Sequence, residues 1–163
     1  MEDETTDLTS TTLEGVPLVR LAADDGVSPV WAWEAVGYGD LALPEELERR
    51  LRAWESAHRA AWRDGRPGER VVQRHVAEGA LLAILLAEHL GRGLAVEFGC
   101  PVDAGDLWGG PDGRLRWSLA DPWVFHANVP ARDPAAAARV RRMVLHPFEM
   151  PGECADYPPP VQA

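Results

Sequence analysis

Between Glu55 and Glu78 the chain reads ESAHRAAWRDGRPGERVVQRHVAE, opening with Glu-x-x-His and closing with His-x-x-Glu around a Gly/Pro-rich centre. Two imidazoles and two carboxylates are a donor set suited to Zn²⁺ or a non-haem iron. Whether they form such a set depends on how the two halves pair. Each half has helical spacing, and at about 100° per residue His58 falls within the apolar stripe of Leu47, Leu51 and Trp54, with Glu55 on its flank. His75 falls within the stripe of Val72, Gly79, Leu82 and Leu86, with Glu78 on its flank. In an antiparallel hairpin, residues whose numbers share a constant sum lie at one height, so His58 is expected opposite His75, with Glu55 and Glu78 one turn further from the loop.

The metal candidates are therefore Glu55, His58, His75 and Glu78, with Zn or Fe as the ion they would suit, in a small metal-binding protein or a metal-dependent enzyme. The pattern is similar in part to ferritin-like metal bundles, but the His-Glu order is reversed on the second helix and no second helix pair is evident. The plainer account needs no cofactor: a Glu/His pair three residues apart supports a helix electrostatically, and partly buried histidines find hydrogen bonds at such interfaces.

Other residue types invite weaker readings. Cys100 lies in Gly99-Cys100-Pro101 at a strand end, and with His126 and Asn128 it has the makings of a thiol enzyme. His126 and Asn128 share one face of a strand, however, where Asn is poorly placed to orient the same His; a small buried hydrophobe is the simpler role for the cysteine. Arg49, Arg52, Arg59 and Arg63 line up along one face of the first long helix, as an anion ridge or as a solvated surface. Of seven tryptophans, Trp54 and Trp62 belong to the buried helix stripe. Trp31, Trp33 and Trp108 are the candidates for an interaction surface, because tryptophan is enriched where partners dock. A small-molecule binder with a Trp-lined pocket between the sheet and the helical hairpin, using His126 as well, is the third reading.

The elements that must position these residues are legible in outline. PLVRLAA and VSPVWAWE read as strands joined at Asp24-Asp25-Gly26, the second an edge strand because of Pro29. A helix begins at Pro44 with acidic residues in its first turns and stops at Asp64-Gly65-Arg66-Pro67-Gly68. A second runs from Glu69 to Leu90 and ends at Gly91-Arg92-Gly93; its LLAILL stretch is apolar around most of its circumference and is expected to be packed on more than one side. LAVEFG, a hairpin over DLWGGPDGRLRWSL, and the alternating WVFHANV complete the strands. Asp133-Pro134 caps a short last helix. This order predicts an α+β fold with a small antiparallel sheet packed on a helical hairpin and a short C-terminal helix. Residues 1–14, acidic and Thr-rich, and the Pro-rich tail 151–163 are expected to be disordered, leaving 15–150 as one domain.

The bulk numbers narrow the chemistry. At 163 residues with 46% hydrophobic content, the chain is long enough to bury a core without disulfide staples. All sixteen basic residues are arginine, which removes Schiff-base chemistry and the lysine-dependent phosphate loop. No dinucleotide fingerprint, nucleophile elbow or Cys-x-x-Cys pair occurs. A net charge of −10 disfavours nucleic acid and favours a basic protein partner. MEDETTDLTSTT has neither a basic nor an apolar signal region, and no stretch is long and apolar enough to span a bilayer, so a cytoplasmic location is expected. A small acidic α+β chain with Trp-rich strands resembles immunity and antitoxin proteins in type. That likeness implies a non-enzymatic protein that binds, and in one form inhibits, a protein partner.

Overall fold

A computed structural model describes residues 15–24, 26–98 and 123–146. The elements run β1 (Leu18–Leu21), β2 (Val30–Trp31), α1 (Tyr38–Leu41), α2 (Glu45–Trp62), α3 (Glu69–Leu90), β3 (Ala95–Phe98), β4 (Trp123–Phe125) and α4 (Pro134–Leu145). The class is α+β, as the sequence predicts. The expected terminal segments 1–14 and 151–163, and the hairpin at 106–119, lie outside the described residues.

The sheet departs from the expected antiparallel one. Its order is β2-β1-β3-β4, with antiparallel pairs at both sides and a parallel pair, β1 with β3, at the centre. The reason lies in the number of passes. β2 returns antiparallel to β1, and the out-and-back excursion of α2 and α3 brings the chain again to the end from which β1 started, so β3 runs in the direction of β1. Pro29 precedes β2 at the edge, as its missing N–H requires, and its carbonyl accepts from the amide of Ala22.

Register divides the sheet into two faces. Val19 pairs with Val96 and Leu21 with Phe98, and all four are fully buried beneath the helices. Arg20 pairs with Glu97 on the other face, where their side chains form an ion pair at 3.0 Å, and exposed Val124 lies beside Glu97. Next to the edge strand, buried Ser28 organises the turn: its Oγ accepts from the amide of Val30 at 3.1 Å and donates to the carbonyl of Val36.

Helix boundaries follow local chemistry. Glu45, Glu46 and Glu48 occupy the first turn of α2, against the positive end of the helix dipole. Gly91 ends α3 at φ 76°, which L side chains rarely adopt, and a Cβ built there would also lie 2.3 Å from the amide nitrogen of Ala131. Asp133 caps α4, its Oδ1 accepting from the amide of Ala136 at 3.0 Å, with Pro134 in the first turn. Helix α1 was not anticipated, because one turn between Gly37 and a left-handed Ala42 offers no periodicity to read.

Helix α3 is the centre of the fold. It packs on α2, β3 and α4, burying Val72, Val76, Leu82, Ala83, Leu86, Ala87 and Leu90. Gly79 lets it approach the sheet: a Cβ at that position would stand 2.4 Å from the ring of Phe98 and 2.8 Å from that of Trp54. The LLAILL stretch is thus packed on more than one side, yet its outward side remains open, with Leu81 42% and Ile84 39% exposed.

Candidate functional site: the imidazole pair between the long helices

The hairpin brings His58 and His75 together as the constant-sum argument predicts, with ring centroids 4.8 Å apart. Both belong to a four-ring cluster. His75 stacks on Trp54 at 4.4 Å and 5° from parallel, His58 stacks on Trp62 at 4.2 Å, and Trp62 meets His75 edge-on at 5.1 Å. The Trp54 indole N–H donates to the carbonyl of His75 at 2.8 Å, fixing the height of α3 against α2.

His75 is buried, and among the described residues its Nε2 has no hydrogen-bond partner. Burial, reinforced by the neighbouring imidazole of His58, pulls its pKa from 6.5 down to about 3. The ring is neutral at ordinary pH, and with basicity this low it is a poor general base there.

The carboxylates do not join the imidazoles. Glu78 reaches across the hairpin to Arg50, whose Nη2 lies 2.7 Å from its Oε1. Glu55 is committed to Arg59, one turn along its own helix. It is also more buried than a flanking position implies, at 6% exposure, while His58 is only half-buried. Tyr38 packs beside α2 with the Arg52 guanidinium 4.0 Å from its ring centroid. Its hydroxyl is pushed up to about 12 by burial, with the negative charge of Glu55 adding to the effect. Among the described residues, no group of three or more His, Cys, Asp or Glu side chains is placed to hold a metal ion. The arrangement is a pair of imidazoles in an aromatic box, with two ion pairs outside it.

The remaining candidates are placed as follows. Trp31 is half-buried, its indole N–H donating to the carbonyl of Ala22 at 3.1 Å. Trp33 is 40% exposed, its N–H held by the carbonyl of Val144 at 3.0 Å. Trp108 and Cys100 lie outside the described residues. His126 and Asn128 are exposed just beyond β4, and His126 Nε2 donates to the carbonyl of Arg92 at 2.7 Å. Three members of the arginine row carry acidic partners on their own helix: Arg49 with Glu46, Arg52 with Glu48 and Arg59 with Glu55. Such a row is largely neutralised as an anion ridge.

Two features escaped the sequence. Buried His89 donates through Nε2 to the carbonyl of Leu41 at 3.0 Å, tying the end of α3 to α1. On the outer side of α3, Arg70, Arg74, Ala77, Leu81, Ile84 and Glu88 form an exposed stripe. The available signal for it was their alternating four- and three-residue spacing, which the stronger buried stripe obscures.

Among the described residues, no helix is long and apolar enough to cross a membrane. Comparison of the chain with models of known protein families, with curated proteins and with solved structures finds no match.

Proposed function

We propose that this protein is a non-enzymatic interaction protein that binds a basic protein partner in the cytoplasm. Trp33 is the observation that carries the reading. Its one polar atom is bonded internally to Val144, so its exposed surface is the apolar ring. It stands just past edge strand β2, and the adjoining end of α4 adds exposed Leu145. Aromatic surface of this kind anchors protein interfaces, and the net charge of −10 steers a basic partner toward it. Inhibition of that partner, in the manner of immunity or antitoxin proteins, is the form we favour. Affinity purification of the full chain from its native cell, alongside Trp33→Ala of unchanged circular dichroism, tests the reading. A stoichiometric basic protein retained by the parent and lost with the variant supports it. Equal recovery with both excludes the Trp33 surface.

The convergence of His58 and His75 favours a second reading, a metal-binding protein. Among the described residues His75 Nε2, a buried potential metal ligand, has no hydrogen bond, and the ring faces a second imidazole. A metal there needs Glu55 or Glu78 to leave its arginine, or a ligand from elsewhere. Elemental analysis of the purified protein decides between the readings: stoichiometric zinc or iron that disappears in His58→Leu/His75→Leu establishes the second.

A further inference from the structure

From Arg74 to the end of α3, every exposed residue lies on one stripe: Arg74, Ala77, Leu81, Ile84 and Glu88, with Arg70 one step earlier. The steps alternate four and three, which is the seam spacing of helices that pair along their length. Charge is ordered along it, with two arginines toward the helix N-terminus, three apolar residues in the middle and a glutamate toward the C-terminus. Among the described residues, Arg70, Arg74 and Glu88 take part in none of the ion pairs, which engage other arginines and carboxylates.

We propose that this stripe is a self-association surface, on which the α3 of a second copy docks antiparallel. A two-fold axis reverses the order of the stripe, so its basic end meets an acidic one. One register matches all six positions. Arg70 faces Glu88 of the partner subunit, Arg74 faces Ile84 of the partner subunit, and Ala77 faces Leu81 of the partner subunit, each match occurring twice. The charges attract at both ends, a large side chain meets a small one at the centre, and the stem of Arg74 covers Ile84 while its head stays in water. Parallel pairing would instead set arginine on arginine and glutamate on glutamate. The seam has only three apolar residues per copy, narrower than a standard interface, so the dimer is weak and reversible. The surface is separate from Trp33, and the inference stands apart from the proposed function.

Sedimentation equilibrium of the full chain from about 10 µM to about 1 mM, the range in which a weak association becomes populated, tests the proposal. The parent is expected to dimerise, and Leu81→Glu to remain monomeric with unchanged circular dichroism, since the replaced side chain is exposed. Arg70→Glu and Glu88→Arg each create two like-charge contacts and are expected to weaken the dimer about tenfold. The double variant Arg70→Glu/Glu88→Arg restores attraction and is expected to regain parental affinity. A monomeric parent at 1 mM overturns the proposal, as does a dimer indifferent to Leu81→Glu. A double variant no tighter than the single ones overturns the register.

Discussion

Trp54 and His75 lie face to face, 4.4 Å apart and nearly parallel, while the Trp54 indole N–H is bonded to the carbonyl of the same His75. One side chain of α2 thus holds both the backbone and the ring of one residue of α3, and keeps that ring away from water.

Acid stability follows from this arrangement. His75 takes up a proton near pH 6.5 in the unfolded chain but only near 3 in the fold, so between those values unfolding binds one more proton. Stability due to the neutral ring is complete above pH 6.5 and is lost as pH falls through the window, by at most about 1.4 kcal/mol per pH unit. Thermal melts from pH 8 to 3 on the parent and His75→Phe are expected to diverge below 6.5, the parent falling more steeply. Parallel curves refute the low basicity of His75.

Gly79 tests the contact between α3 and the sheet. Alanine is the better helix former by about 1 kcal/mol, but its methyl group would meet the Phe98 and Trp54 rings together. Overpacking of this severity costs up to about 3 kcal/mol, so Gly79→Ala is expected to lower stability by about 1–2 kcal/mol net. Gly39→Ala, where a Cβ has nothing within 4 Å, is expected to be neutral or mildly stabilising. Urea unfolding midpoints compare the two.

Ser28 tests the turn beside the edge strand. Ser28→Ala removes the partner of the Val30 amide and one partner of the Val36 carbonyl in a buried place. The expected cost is about 1–3 kcal/mol, with amide exchange accelerating first at Val30, whose N–H loses its acceptor.

The ion pair across the hairpin is expected to contribute little. Arg50 and Glu78 remain partly exposed despite their 2.7 Å contact, and exposed pairs typically couple by about 0.2–1 kcal/mol. A double-mutant cycle with Arg50→Met and Glu78→Gln measures this, and a coupling above 2 kcal/mol contradicts it.

The long helices, their limits and the facing of His58 and His75 were legible because periodicity, proline, glycine and capping residues act locally. The central parallel pair was not legible, since strand direction depends on the sum of all passes between β1 and β3. The roles of Glu55 and Glu78 were hidden for a related reason. Spacing alone set them near histidines, but it did not show Arg59 competing for one on the same helix, or Arg50 reaching the other from the opposite helix. Tyr38, whose hydroxyl feels the charge of Glu55, belongs to a one-turn helix too short to leave a pattern. Exposure of Leu81 and Ile84 was equally a tertiary fact: an apolar sequence states what a helix would prefer to cover, and only the neighbours decide what is covered.

The parallel pairing of β1 with β3 also sets an order of events at the ribosome. Arg20 and Glu97, ion-paired in the finished sheet, are 77 positions apart, a stretch that takes roughly 4–15 s to synthesise at 5–20 residues per second. For that interval β1 has only β2 to pair with, and its Val19 and Leu21 lack Val96 and Phe98 beside them on the inner face. The helical hairpin, whose contacts are closer in sequence, has time to form first and becomes the surface on which the middle of the sheet is assembled.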